Sequence, residues 1–161
     1  MQIIRHILLI FLALFLQTSW IHKISIFEVW PDLILLVLVY IGITNGQIQA
    51  TIFGFFSGFL LDIYQDPHSM GINTLTNSLV GFAVGYSRVG VVAENIKVQA
   101  LLVFLACILH DTIFLSISDP SKLFYLMFRK GIGTAIYTAL LGVTISILKS
   151  VKLERGIHLN A

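Results

Sequence analysis

Apolar residues fill long uninterrupted runs in this chain, and short polar clusters separate them. The longest run lies between Asp32 and Asp62, where no side chain is charged. One helix needs only about 20 residues to cross a bilayer, so this run is too long for a single crossing. A turn signal, Thr44–Gln47, contains an Asn-Gly pair that tolerates positive φ. The pattern predicts a helical hairpin whose acidic ends emerge on the same side of a membrane.

The other apolar segments also have helical length and lack the two-residue alternation of membrane β-strands. Helices satisfy their backbone hydrogen bonds within one segment, as lipid requires. We therefore expect an all-α integral membrane protein, a bundle of about six transmembrane helices. One polytopic domain is expected over residues 1–150, with a short cytoplasmic tail at 151–161. The expected helices are Ile4–Ile21, Pro31–Thr44, Ile48–Tyr64, Ile72–Ser87, Val98–Ser118 and Gly131–Leu148.

Composition supports a lipid environment. Hydrophobic residues make up 57% of the 161 positions and charged residues only 11%, whereas soluble proteins carry about 25% charged residues. The single cysteine, Cys107, cannot form an internal disulfide. The sequence contains no P-loop, dinucleotide fingerprint, zinc motif or nucleophile elbow. We therefore expect no catalytic residue, no metal, no cofactor and no nucleic-acid partner.

Lysine and arginine are distributed unevenly over the predicted loops, and their excess marks the cytoplasmic side. This bias places both termini in the cytoplasm and the acidic ends of the hairpin outside. The aromatic segment Leu123–Phe128 is expected to lie in the membrane interface. The cytoplasmic cations are Arg5, Arg88, Lys97, Lys149, Lys152 and Arg155, and the outer cations are Lys23, Lys122, Arg129 and Lys130.

Glycines recur at four-residue spacing in two neighbouring helices, as Gly54 and Gly58 and as Gly81 and Gly85. Such spacing lets helix backbones approach closely in lipid. Two interpretations stay open. One is packing within the bundle, which we favour, and the other is a docking groove for a helix of another protein.

Polar residues at the outer side are candidates for a recess. Pro31 is expected in the first turn of the second helix, and Asp32 beside it suits the positive end of the helix dipole. Asp62 ends the third helix, where negative charge opposes the dipole. We expect it to pair with Arg129 or Lys130, with contact to a ligand or partner as the alternative.

The start of the fourth helix is a further candidate part of the recess. Gly71 follows a chain break, and Asn73 or Thr74 is expected to cap the helix. The free amides of that first turn are also suited to face a polar headgroup.

His110 and Asp111 form an intramembrane polar pair in the fifth helix. Ionisable groups at such depth usually face the interior of a bundle. The alternatives are a proton or ion relay, a polar ligand site, or a buried pair that meets Asn73, Asn77 or Tyr137. We favour the buried pair, because the cytoplasmic half of the bundle lacks the chain of polar groups that a relay needs.

Several of these segments together resemble the rod shape-determining protein MreD family. The resemblance covers about residues 1–150 and includes the polar positions as well as the apolar background. One departure is Asp111, where glutamate is more common in the family. The matching segments are Pro31–Tyr40, Gly54–Asp62, Pro67, Gly71–Asn73, Gly81–Tyr86 and Gln99–Asp111.

The resemblance implies a multi-pass protein of the bacterial inner membrane that belongs to the cell-elongation machinery. It implies binding to MreC, and association with MreB, RodA and a class B penicillin-binding transpeptidase. It also implies a fold like the substrate-binding subunits of energy-coupling-factor transporters, which hold a ligand recess at the outer face.

The leading hypothesis is a non-enzymatic membrane scaffold that binds MreC and helps to organise peptidoglycan synthesis and rod shape, with lipid around it. The first alternative is a small-solute-binding subunit of a membrane transporter, which needs several convergent polar groups. The second is a small membrane enzyme acting on lipid, which needs Asp62, His110 or Asp111 for turnover.

Overall fold

The computed structural model describes residues 2–19, 29–64, 70–87 and 95–158, with only the backbone described at residues 2 and 149–158. Throughout these ranges the regular structure is helical, which confirms the all-α prediction. A 3-10 turn, Pro120–Lys122, precedes α6, and a π-helical turn, Met127–Gly131, joins α6 to α7. The helices are α1 Gln2–Ser19, α2 Leu33–Asn45, α3 Gln47–Tyr64, α4 Ile72–Ser87, α5 Ile96–Ser118, α6 Leu123–Leu126 and α7 Ile132–His158.

Three differences from the predicted helices stand out, while the other described boundaries agree to within two residues. Pro31 does not lie in the first turn of α2, because Asp32 occupies the N-cap position with extended backbone and the helix begins at Leu33. The last helix continues to His158 instead of ending at Leu148. The aromatic segment before it is helical and leads directly into α7. The predicted end of the first helix, the outer cation Lys23, the break at Pro67 and the cytoplasmic cation Arg88 lie outside the described residues.

α2 is the central helix of the bundle and packs against α1, α3, α4, α5 and α7. Its sequence is apolar on every side, so it has no polar stripe to turn towards water. Ile34, Leu35, Leu38, Val39 and Ile41 are all at most 1% exposed. Around α2 the main core joins α4, α5 and α7 through Val80, Val84, Val103, Ala106, Cys107 and Ala135.

α2 and α3 form the predicted hairpin. The chain reverses at Gly46, whose φ of 89° lies in the region that favours glycine. Ile34 near the start of α2 and Leu61 near the end of α3 share one buried cluster with Ala13 of α1. Asp32 and Asp62 therefore lie at the same end of the bundle, as predicted. We call it the acidic end.

The outside of the bundle is apolar as well as its core. Large aliphatic and aromatic side chains cover the outside of α1, α3, α4, α5 and α7. Two described helical stretches, Ile96–Ser118 and Pro120–Leu148, are long and apolar enough to cross a membrane by length and composition. Among the described residues, the buried polar ones are His6, Ser57, Asp62, Asn73, Thr76, Asn77, His110 and Thr138.

Candidate functional site at the acidic end

Asp62, near the end of α3, caps the start of the neighbouring helix α4. Its Oδ1 accepts hydrogen bonds from the backbone N–H (3.1 Å) and the side-chain amide (2.9 Å) of Asn73. Its Oδ2 accepts from the backbone N–H (2.9 Å) and the hydroxyl of Thr74. The carboxylate is buried, and the positive end of the α4 dipole faces it. The charge of Asp62 is thus compensated by four donors within the protein.

Two predictions about this region are wrong. Asp62 takes its hydrogen bonds from α4 and not from Arg129 or Lys130. Arg129 instead donates to the hydroxyl of Tyr125, and the ammonium of Lys130 lies 5.5 Å from the ring centroid of Trp30. Asn73 and Thr74 are not at the N-cap position of α4 either, because the helix begins at Ile72, and both side chains donate to Asp62.

The four glycines of the repeated spacing lie buried between α3 and α4. A Cβ built on any of them would lie within 2.4 Å of a backbone atom of the opposite helix. Real Cβ atoms need at least about 3 Å, so only glycine allows this approach. The structure therefore supports packing within the bundle, and these glycines present no exposed groove. The atom nearest to the built Cβ is the carbonyl oxygen of Asn77 for Gly54, of Asn73 for Gly58 and of Ala50 for Gly81. For Gly85 it is the Cα of Gln47.

The start of α2 is joined by hydrogen bonds to helices on both sides. The Oδ1 of Asp32 accepts from the backbone N–H of Leu35 at 2.9 Å, which is a normal N-cap. The side-chain oxygen of Gln17 on α1 accepts from the first two N–H groups of α2, at 3.1 Å each. The N–H of Asp32 donates to the hydroxyl of Thr138 on α7 at 2.9 Å. Asp32 is thus a fixed part of the packing of three helices.

We expect Thr138→Val to lower the free energy of unfolding by about 1–2 kcal/mol, because it removes the acceptor of the Asp32 N–H. Thr144→Val is the matched control, since the Thr144 hydroxyl is exposed and bonds only to carbonyls of its own helix. Unfolding of both variants in the same detergent gives the comparison. An equal effect of the two substitutions would contradict the assignment.

His110 and Asp111 form a pair inside the contact of α5 with α7. The Nδ1 of His110 lies 3.1 Å from the Oδ1 of Asp111, and the Phe114 ring stacks on the imidazole at 6.1 Å between centroids. The other Asp111 oxygen lies against Gly131, at 3.2 Å from the position that a Cβ would take there. The predicted partner Asn73 lies instead on α4, bonded to Asp62.

A shallow groove of about 390 Å³ opens between α3 and α4 beside Asp62. Among the predicted recess residues, Asp62 and Gly71 line it, whereas Gly54, Gly58, Gly81 and Gly85 are not part of its lining. Pro31 and Asp32 lie at the start of α2 instead. A solute site needs several convergent polar groups, whereas the lining here is mainly apolar and its one carboxylate is already bonded. The lining residues are Phe55, Phe59, Asp62, Met70, Gly71, Thr74, Leu75 and Ser78.

Several buried or bonded polar residues were not predicted as candidates, and three of them lie at contacts between helices. Gln17 and Thr138 hold the start of α2, and His6 is fully buried against Tyr40 and Phe53. The only signal for them in the sequence is a polar residue within or next to an apolar run. Within the described ranges, no three His, Cys, Asp or Glu side chains come together to hold a metal ion.

An apolar exterior, helix starts capped from neighbouring helices and close glycine packing define a helical bundle of the membrane-protein class. The family described as rod shape-determining protein MreD matches residues 1–148. The chain therefore belongs to the MreD family, a family of membrane proteins, as its resemblance indicated. Membership associates it with the determination of rod shape, in a family of structural proteins not known as enzymes. Neither curated proteins nor solved structures give a match.

Proposed function

We propose that this protein is a non-enzymatic scaffold of the bacterial inner membrane. It binds MreC and so helps to organise peptidoglycan synthesis by the elongation machinery. The scaffold associates with MreB, RodA and a class B penicillin-binding transpeptidase, either directly or through MreC. Family membership supports the role in rod shape.

The observation that carries the proposal is an aromatic surface on the outside of the packed pair α3 and α4, which we call the α3–α4 face. Aromatic side chains supply large contact area with few rotatable bonds, so they are favoured as anchors in protein interfaces. The Phe55 and Phe59 rings are parallel, with centroids 6.4 Å apart, and the Phe82 and Tyr86 rings stack at 6.5 Å. The exposed members of the face are Phe55, Phe56, Phe59, Leu75, Leu79, Phe82 and Tyr86.

The packing beneath this face makes it rigid. The glycine contacts fix the register of α3 on α4, and Asp62 ties the end of α3 to the start of α4. A surface that is ordered before binding loses less conformational entropy when the partner docks. The glycines and Asp62 therefore serve the partner site indirectly, by shaping and fixing the two helices that carry it.

We further propose that α1, α2, α3, α4, α5 and α7 all cross the membrane, with both termini in the cytoplasm and the acidic end outside. The apolar exterior and the two long apolar helical stretches support this arrangement. α2 is short, since its 13 residues span about 20 Å. The surrounding helices enclose it, so it need not match the lipid thickness by itself. The arrangement would resemble the energy-coupling-factor subunits, with the groove beside Asp62 in the place of their ligand recess.

The partner site is tested by exchanging its aromatic anchors. We expect the double variant Phe55→Ala/Phe59→Ala to retain MreC about tenfold less during co-purification from membranes, because two exposed anchors are lost. The matched control is Phe11→Ala/Phe15→Ala, which removes two exposed phenylalanines from α1. All variants must elute as monodisperse protein. Undiminished MreC recovery with the α3 variant, or an equal loss with the α1 variant, would contradict the proposal.

The alternative function is a small-solute-binding subunit of a transporter, and the groove beside Asp62 is the observation that favours it. It predicts a small molecule that stays bound through purification and is lost in Leu75→Trp, which would fill the groove. Mass spectrometry of the purified protein decides between the two functions.

A further inference from the structure

The segment Pro120–Gly131 exposes aromatic rings beside cations. Phe124 and Phe128 are 77% and 75% exposed, and Tyr125 between them is 58% exposed. With Arg129 these rings line an open notch of about 470 Å³. Interfacial positions of membrane proteins combine such rings with lysine and arginine.

Arg129 is held in a defined position at the edge of this notch. Its Nη1 donates to the Tyr125 hydroxyl at 2.7 Å, and its guanidinium carbon lies 5.7 Å from the centroid of the same ring. Lys122 and Lys130 lie in the same segment, and the ammonium of Lys122 donates to the carboxylate of Asp119 at 3.0 Å. Three cations against one carboxylate leave the segment positively charged.

We propose that this notch binds an anionic phospholipid. The guanidinium of Arg129 contacts the lipid phosphate, since its planar donors match phosphate oxygens. The glycerol and upper acyl chain lie against Phe124 and Phe128. The occupant is a lipid and not a protein helix, because the notch spans only Phe124 to Arg129. A docked helix needs anchors repeated over at least about two turns along a continuous groove.

Native mass spectrometry of the full-length protein tests the lipid site. The probes are phosphatidylglycerol, phosphatidylcholine and inorganic phosphate, each added to protein in a neutral detergent. We expect phosphatidylglycerol to be retained over phosphatidylcholine, and Arg129→Gln to lower that retention about tenfold. Lys97→Gln is the matched control, because it removes an exposed cation at the other end of the bundle.

Phe124→Ala/Phe128→Ala keeps every charge and is expected to lower the retention of long-chain phosphatidylglycerol more than that of a short-chain form. The proposal is overturned if Arg129→Gln retains the lipid like the unchanged protein, or if Lys97→Gln loses it equally. Displacement of the lipid by inorganic phosphate alone would also overturn it, since the site would then bind free phosphate. These outcomes leave MreC binding at the α3–α4 face untouched.

Discussion

Replacing Gly58 with leucine is expected to prevent α3 and α4 from packing, and Gly54→Leu/Gly58→Leu to abolish recovery of folded protein. A Cβ at Gly58 would lie 2.4 Å from the carbonyl oxygen of Asn73 and 2.6 Å from the Cα of Thr74. Both are backbone atoms, so the helices must separate to make room. Overpacking against movable side chains costs about 1–3 kcal/mol, and we expect each leucine to exceed that range.

Ala83→Leu is the matched control for the glycine variants, because it adds a comparable side chain to the exposed side of α4. Size-exclusion chromatography of detergent extracts measures the folded fraction, and thermal unfolding measures stability. The control should behave like the unchanged protein. Normal recovery and melting of Gly58→Leu would show that the close approach of the two helices is not needed for folding.

Asp62→Ala is expected to lower the free energy of unfolding by about 3 kcal/mol, because four donors at the start of α4 lose their acceptor. The free energy of unfolding of Asp62→Asn should lie between those of Asp62→Ala and the unchanged protein. Asparagine keeps one acceptor oxygen but places an N–H₂ group against other donors. Hydrogen exchange at the amides of Asn73 and Thr74 should accelerate in both variants. Thermal unfolding gives the loss of stability.

Asp119→Ala is the control for charge removal at the same end of the bundle. Asp119 lies in the turn before Pro120 and bonds to Ser121 and Lys122, both of them exposed. Its loss should change stability far less than Asp62→Ala does, because solvent screens exposed ion pairs. If Asp62→Ala were as mild as Asp119→Ala, the carboxylate would not hold α3 and α4 together.

The helices could be predicted from the sequence because local signals define them. α4 was predicted with the observed bounds, since Gly71 precedes an apolar segment and polar residues follow Ser87. The hairpin was predictable because the turn-forming pair Asn45–Gly46 lies in the middle of a long run without charged residues. The start of α2 was predicted at Pro31, two residues too early. Pro31 and Asp32 both favour the start of a helix, and the aspartate takes the N-cap position.

The partners of the polar residues could not be predicted, since they depend on which helices pack together. Asp62 was expected to pair with a cation, yet the nearest compensating charge is the dipole of α4. A signal was present, because Gly71 has no side chain to cap the free amides that follow it. Gln17 and Thr138 bond across helix contacts that no local pattern of residues encodes.

Site-specific photo-crosslinking in cells tests the central claim most directly, namely that the α3–α4 face holds MreC. A benzophenone side chain replaces Phe56 in one strain and Phe11 in another, both exposed positions on apolar helix surfaces. We predict a covalent adduct with MreC from position 56 and none from position 11. An adduct from position 11 alone, or none with MreC from position 56, would contradict this account of the protein.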